Sequence, residues 1–209
     1  PIIEAVKSAF DVPVSLDTYK ARVASAGIAA GADLINDVWG LKYDGWNTPD
    51  NGTGRQEGGA MAQVIAASGL PCCLMHNRRD MDYQDFLHDL MGDLQETLRL
   101  AEQAGIGKEK IILDPGVGFA KSYEQNLEII RRMGELGTLG CPLLLGCSRK
   151  SVIGLTLNLP ADQRLEGTLV TTVAGVLQGA MFVRVHDVRE NVRVVRMAEA
   201  IFAGQGLGG

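Results

Sequence analysis

The chain has 209 residues, 46% hydrophobic and 22% charged, with a net charge of −5. That length suits one domain able to bury roughly 70% of its unfolded surface. The acidic balance argues against a nucleic-acid or anionic-membrane surface, while a few local Arg and Lys residues can still hold a small anion. Small-molecule partners are therefore expected, with no nucleic acid and no membrane. Cys72, Cys73, Cys141 and Cys147 lie in or beside apolar runs without Cys-x-x-Cys spacing, which reads as reduced core cysteines of a cytoplasmic protein. The sequence contains no apolar run of about 18 residues and no recognisable signal peptide. Its start at Pro1, without an initiator methionine, reads as a processed, trimmed or omitted amino terminus.

Residues 3–10 read as a short helix, and residues 12–17 as a strand that ends in the carboxylate of Asp17. Residues 18–30 follow as a small-residue helix with Val23, Ala26 and Ala30 on its inner face, stopped by Gly31. The next strand, residues 32–38, closes on Asn36 and Asp37. A polar, glycine-rich stretch over residues 40–59 is too long for a simple connection, which marks it as mobile or functional. Residues 61–68 read as a helix and 70–76 as a strand ending on Met75 and His76, before a charged loop over 77–82. Phe86, Leu90, Leu94, Leu98 and Ala101 mark a long amphipathic helix with Gly105 as its stop.

The most informative stretch is Ile111-Ile112-Leu113-Asp114-Pro115-Gly116-Val117-Gly118-Phe119-Ala120-Lys121. Its apolar run has no polar alternation, which fits a strand covered on both faces, and Pro115, Gly116 and Gly118 forbid its continuation, so Asp114 sits at the strand's carboxyl end. A helix over 123–136 follows, with Leu127, Ile130 and Met133 inward, and then a strand over 142–147 that runs into Ser148-Arg149-Lys150-Ser151. A small, β-branched helix over 165–178, a strand over 181–186 and a last helix with Val192, Val195, Ala198 and Phe202 on its buried face complete the order, and the glycine-rich tail from Gly204 reads as frayed.

Six strands alternating with helices demand a parallel sheet with right-handed crossovers. Every strand ends in polar residues at one edge. A doubly wound sheet gathers such residues only near one switch point, whereas a (β/α)8 barrel builds its site from the carboxyl ends of many strands. The expected architecture is a TIM (β/α)8 barrel with six of its eight βα units in this chain, as a single domain over residues 1–209 that is incomplete at its amino terminus.

Several of these residues have two readings. Asp17 suits an N-cap for a helix starting at Thr18 as well as a site carboxylate, and Asp114 suits an Asx-type turn before proline. Asn36 can simply end a strand, His76 can be a core or loop histidine with a backbone partner, and His186-Asp187 can be a capping pair. No second His or Cys stands at metal-ligand spacing from His76. Arg149 and Lys150 lie at a helix start, where cations oppose the helix dipole and hint at an anionic or polar ligand. Of the two, Lys150 is expected inward and Arg149 structural. Phe119 is an aromatic in a glycine loop, uncommon there without a partner.

Taken together, Ser15-Leu16-Asp17-Thr18-Tyr19-Lys20, Ile35-Asn36-Asp37, Met75-His76, the Asp114 to Lys121 segment, Ser148-Arg149-Lys150-Ser151 and Arg184-Val185-His186-Asp187 resemble, in order and context, bacterial dihydropteroate synthase of the pterin-binding TIM-barrel family. The Asn-Val-Thr-Pro-Asp-Ser-Phe segment and Thr-Arg-Pro-Gly loop of that family's first two strands do not occur here. Ala120 stands where a glycine is common, and Asn77-Arg78-Arg79 varies the usual loop. The resemblance implies an enzyme of folate biosynthesis that condenses 6-hydroxymethyl-7,8-dihydropterin diphosphate with 4-aminobenzoate, along an SN1-like path, to 7,8-dihydropteroate and diphosphate. It implies a catalytic set of Asp17, Lys150, Arg184 and His186 and a pterin pocket of Asp17, Asn36, Met75, Asp114, Phe119, Gly146 and Lys150. Phe119, Lys150 and Ser151 would hold the aminobenzoate, and Arg184 and His186 the diphosphate. It further implies Mg²⁺ with the diphosphate, its asparagine ligand lying in the missing first strand so that no metal ligand is expected in this chain. A homodimer through the last helices and competition by sulfonamides at the arene site also follow from the resemblance. Two other readings remain: a methyltetrahydrofolate-dependent methyltransferase-like barrel, disfavoured by Ser-Arg-Lys-Ser and Arg-x-His, and a non-catalytic pterin-binding fragment.

Overall fold

The structure, a computed structural model, describes residues 1–43 and 59–202; most of the glycine-rich stretch over 40–59 and the tail from Gly204 lie outside them. Within the described residues the order is α1 (Ile2–Ala9), β1 (Ser15–Asp17), α2 (Ala21–Ala29), β2 (Leu34–Asp37), α3 (Ala60–Ser68), β3 (Cys72–Met75), α4 (Phe86–Gln103), β4 (Ile111–Asp114), α5 (Tyr123–Arg132), β5 (Leu143–Leu145), α6 (Ser151–Leu157), α7 (Leu165–Leu177), β6 (Ala180–Val183) and α8 (Val188–Phe202). Short 3₁₀ segments at Lys108–Lys110, Met133–Leu139 and Ala161–Gln163 were not legible in the sequence. The chain divides into two compact units, Pro1–Asn77 with Met91–Leu113 and Arg78–Leu90 with Asp114–Gly209.

In the first unit β1, β2, β3 and the Ile111 to Leu113 part of β4 neighbour one another in chain order. The β1–β2 and β2–β3 pairs are parallel. Strand β1 is half as long as the apolar run predicts, because Pro13 has no N–H and the next N–H, that of Val14, goes to Asp33 Oδ2 at 2.7 Å instead of to a neighbouring strand. The Val14 N–H, and then Lys7 at 3.0 Å, hold the Asp33 carboxyl below the usual carboxylate range. Helix α2 buries Ala24 and Gly27, not the predicted Val23, Ala26 and Ala30; Val23 is 44% exposed. Close approach sets this phase, since a Cβ on Gly27 would meet Leu16 Cδ2 at 2.1 Å. In α4, Leu87, Leu90, Leu94, Thr97, Leu100 and Ala101 are buried, while Phe86 and Leu98, both predicted inward, are only half-buried.

In the second unit β5 and β6 pair in parallel, with a register shift between Leu143 and Leu144. Helix α5 opens with a capping box formed by Ser122 and Gln125 and buries Asn126, Ile129 and Ile130. Leu127, predicted inward, is 41% exposed. The helix ends at Arg132, four residues before the predicted boundary at 136, and tightens into the 3₁₀ segment that contains Gly134 and Gly137. The small residues of α7 allow tight packing: a Cβ on Gly175 would lie 2.7 Å from Leu145 Cδ2. Helix α8 buries Asn191 and Ala198, whereas Val192 is 42% exposed and Val195 and Phe202 are half-buried. A satisfied amide sets this face: Thr172 Oγ1 donates to Asn191 Oδ1 at 2.6 Å, and Asn191 Nδ2 donates to Asp187 O at 2.8 Å.

Gly40 follows β2 with φ 54°, and a Cβ there would stand 2.9 Å from the Met75 carbonyl oxygen and 3.1 Å from Thr97 Oγ1. Gly40→Ala combines left-handed backbone with a backbone collision, so it should cost about 2 kcal/mol or more in urea unfolding. A midpoint equal to that of the unsubstituted protein would contradict the packing described at this turn.

Candidate active site

In the first unit the site residues come from the register of β1, β2 and β3. Asp17 pairs with Asn36 and Asn36 with Cys73, so these side chains leave one face of the sheet, and Met75, two residues beyond Cys73, leaves the same face. Asn36 and Met75 are buried and Asp17 is exposed. Asp17 does not cap a helix at Thr18: Thr18 N still donates to Asn36 O at 3.0 Å, and α2 starts only at Ala21 with Lys20 in the N-cap position. His76 is fully buried, and a carboxylate is among its partners. Its Nε2 lies 2.9 Å from the Asp93 carboxylate of α4. The Asp93 carbonyl in turn accepts from Lys42 Nζ at 2.8 Å and Thr97 Oγ1 at 3.1 Å, so this cluster ties the ends of β2 and β3 to α4.

In the second unit the site is built around the end of β4. Asp114 is 5% exposed, and its Oδ1 accepts the Gly116 N–H at 2.7 Å, the Asx-type turn that the sequence allows. Its Oδ2 faces Gly146, where a Cβ would lie 3.5 Å from that oxygen and 4.0 Å from Arg184 Cβ. Burial pushes the Asp114 carboxyl above the usual carboxylate range, and Lys150, the Gly116 N–H, Lys121 and Arg184 pull it back.

The loop after Asp114 is held rigidly. Lys121 is buried and donates to the carbonyls of Gly116 and Phe119, both at 3.1 Å. Asn126 accepts the Gly118 N–H at 2.6 Å and donates to Lys121 O and Ser122 O, while Tyr83 donates to Ala120 O at 2.9 Å. Ala120 has φ 45°, left-handed backbone that explains why a glycine suits this position. The loop presents the half-buried ring of Phe119, with Lys150 Nζ 4.8 Å from its centroid and donating to Val117 O.

The loops after β5 and β6 are clasped together. Ser148 Oγ lies 2.8 Å from His186 Nδ1 and accepts the His186 N–H at 3.2 Å. The Arg149 guanidinium forks onto Asp187 at 3.1 and 2.6 Å and holds that carboxyl below its usual range, so Arg149 is structural, as expected, and Asp187 serves Arg149 before it serves α8. Burial pushes the neighbouring Cys147 thiol up. Ser151 is exposed as the first residue of α6.

The second unit thus brings Asp114, Phe119, Gly146, Lys150 and Arg184 into one neighbourhood, with His186 joined through Ser148 to the loop that carries Lys150. The first unit brings together Asp17, Asn36 and Met75. Sequence reasoning missed Lys121, Asn126, Ser148 and Asp93 as the groups that hold this framework. Asn126 left a signal, since it is a polar residue at the helical phase of Ile129, Ile130 and Met133. Asp93, distant in sequence from His76, left none. Among the described residues no group of three or more His, Cys, Asp or Glu side chains is placed to hold a metal ion. No described helix is long and apolar enough to cross a membrane.

Residues 1–186 match the family model described as pterin binding enzyme, and the chain belongs to that family. Its fold is the TIM barrel, with six of the eight βα units in this chain. Within the family the similarity falls on dihydropteroate synthases. The chain is 51% identical to that of Clostridium beijerinckii over 202 residues, covering 96% of this chain and 70% of the relative, and 42% identical to that of Bacillus subtilis, of which it covers 66%. Among solved structures, a Clostridium difficile dihydropteroate synthase in the presence of pteroic acid aligns with a TM-score of 0.88 at 44% identity, over 97% of this chain and 72% of that one. A Yersinia pestis dihydropteroate synthase in a sulfonamide drug complex aligns with a TM-score of 0.85 at 36% identity, over 96% and 70% of the two chains.

Because the Asp114 pKa is raised by burial, its charged form is the costly one. The sign follows: relative to Asp114→Asn, the unsubstituted protein loses stability as the pH rises through the raised pKa. Asp114→Asn should therefore raise Tm at neutral pH, by roughly 2–4 °C for a change of about 1 kcal/mol, with the gain shrinking on acidification. Thermal unfolding followed across pH checks this; a lower Tm for the variant at neutral pH would contradict it.

Proposed function

We propose that the protein acts as a dihydropteroate synthase, joining 6-hydroxymethyl-7,8-dihydropterin diphosphate to 4-aminobenzoate with release of diphosphate. The observation that carries this reading is the buried Asp114 carboxylate among Lys150, Lys121 and Arg184, beside a shelf made by Phe119 and the Lys150 stem. Asp114 accepts the pterin's amino and ring N–H donors as a paired acceptor, and an unmatched donor there would cost roughly 1–3 kcal/mol, which makes the pocket selective. Asp17, Asn36 and Met75 are assigned to pterin binding, supported by their shared face on β1, β2 and β3. Gly146, next to Asp114 and Arg184, leaves room for the pterin.

Departure of diphosphate leaves cationic character on the pterin methylene, and anionic and acceptor groups of the pocket stabilise it. Arg184 and His186 hold the leaving diphosphate. With the Ser148 hydroxyl donating to His186 Nδ1, the Nε2–H is the edge turned to a phosphate oxygen. Lys150 meets the pterin's acceptor atoms and, with Phe119, flanks the arene; the Ser151 hydroxyl takes the carboxylate of 4-aminobenzoate. Magnesium accompanies the diphosphate in this reading; among the described residues no group of three or more His, Cys, Asp or Glu side chains is placed to hold it.

A cytoplasmic homodimer paired through α7 and α8 completes the proposal. Apolar side chains exposed on those helices support the pairing: Val170 at 69%, Met197 at 61% and Ile201 at 56%. The four buried cysteines are thiols, which fits a reducing compartment. Sulfonamides compete with 4-aminobenzoate, in line with the Yersinia pestis complex.

Calorimetry with the pterin alone, beside a turnover assay with both substrates, tests the assignment. Asp114→Ala should abolish detectable pterin binding, whereas Ser151→Ala should weaken 4-aminobenzoate by about tenfold and leave pterin affinity intact. Normal pterin binding by Asp114→Ala, or binding by the unsubstituted protein without turnover, would overturn it.

A further inference from the structure

Arg164 lies outside the substrate-facing set, between the 3₁₀ segment Ala161–Gln163 and α7, yet its guanidinium reaches back to the loop that carries Lys150. Nη1 donates to Arg149 O at 2.9 Å and faces Lys150 O at 3.4 Å, while Nε donates to Leu159 O at 2.9 Å. One planar fork therefore holds both ends of α6, since Lys150 is its N-cap and Leu159 follows its C-cap Asn158. The same loop needs such restraint. Arg149 sits in left-handed backbone at φ 58°, strained for a residue with a Cβ, and its N–H is held by Thr168 Oγ1 at 3.1 Å. Thr168 Oγ1 in turn donates to Arg164 O at 2.9 Å, so Arg164 and Thr168 grip the Arg149–Lys150 turn from both its N–H and its carbonyl sides.

Space for the guanidinium is made by Gly154 in α6. A Cβ there would meet Arg164 Nη2 at 2.2 Å and Cζ at 2.3 Å, the far end of a flexible side chain and not backbone. A methyl group at this position displaces the fork while leaving its charge in the protein and the α6 backbone free to stay helical.

We propose that Arg164 is a positioning residue: through the carbonyls of Arg149 and Lys150 it fixes the turn from which the Lys150 ammonium reaches over Phe119 toward the pterin, and Gly154 is the vacancy that admits it. The inference rests on the assignment of Lys150 to the pterin and extends it to a pair of residues that touch no substrate.

A double-mutant cycle on the full chain, read as the dissociation constant for 6-hydroxymethyl-7,8-dihydropterin by calorimetry, tests it. Lys150→Ala is expected to weaken binding by about tenfold, and Arg164→Lys, which keeps a charge but loses the fork, by about fivefold. In the Lys150→Ala background the Arg164→Lys change should add less than about twofold, because its effect passes through Lys150. Gly154→Ala should reproduce the Arg164→Lys loss with Tm within a few degrees of the unsubstituted protein, which keeps the test open if Arg164→Lys folds poorly. If Lys150→Ala leaves the dissociation constant unchanged, the reading of the pterin site fails and this inference with it. If Lys150→Ala weakens binding while the Arg164→Lys and Gly154→Ala effects are absent, or multiply in full with it, the positioning role alone is overturned.

Discussion

A carboxylate at the carboxyl end of a fully covered strand is costly to ionise, and at Asp114 cations drawn from three loops offset part of that cost. Lys121 comes from its own loop, Lys150 from the loop after β5 and Arg184 from the residue beyond β6. The arrangement of the second unit follows from this need. The glycine turn delivers the Gly116 N–H to one carboxylate oxygen, and the bare backbone of Gly146 lets the other oxygen and Arg184 approach. What remains is a buried carboxylate with several cationic neighbours, the arrangement on which the proposed pterin site rests.

Three of the cations around these loops are tied to groups of the loops themselves. Arg149 is occupied by Asp187, Lys121 by two carbonyls of the Asp114 loop, and Arg164 by the carbonyls that lead into and out of α6. These three maintain the shape of the loops. Lys150 and Arg184 are the cations next to Asp114 that the proposed chemistry uses, and His186 joins them through the Ser148 hydroxyl.

The sequence made the strand ends legible because an apolar run that stops at a polar residue is a local signal. Asp17, Asn36 and Met75 stand where that signal puts them, within shorter strands, and Asp114 ends its strand at the expected position. Helix faces were read less well. Val23, Leu127 and Val192 are the bulky residues on which a periodicity argument depends, but Gly27, Asn126 and Asn191 fix the phase by close approach and by satisfied amides. The partners of the site residues were the least legible, since Asp93 for His76 and Arg164 for the Lys150 turn are contacts made by folding across the chain. The cap reading of Asp17 failed for a related reason: the ladder bond from Thr18 to Asn36 delays the helix to Ala21.

The claim on which the account turns is that the ionised Asp114 carboxylate receives the pterin's N–H donors. The dissociation constant for 6-hydroxymethyl-7,8-dihydropterin, followed from neutral to acidic pH by calorimetry, addresses it most directly. Because the Asp114 pKa is raised, protonation removes the acceptor above the pH at which exposed carboxylates titrate, and affinity should fall there by at least about tenfold as the carboxyl is neutralised. An affinity that stays constant until the exposed carboxylates titrate would contradict it.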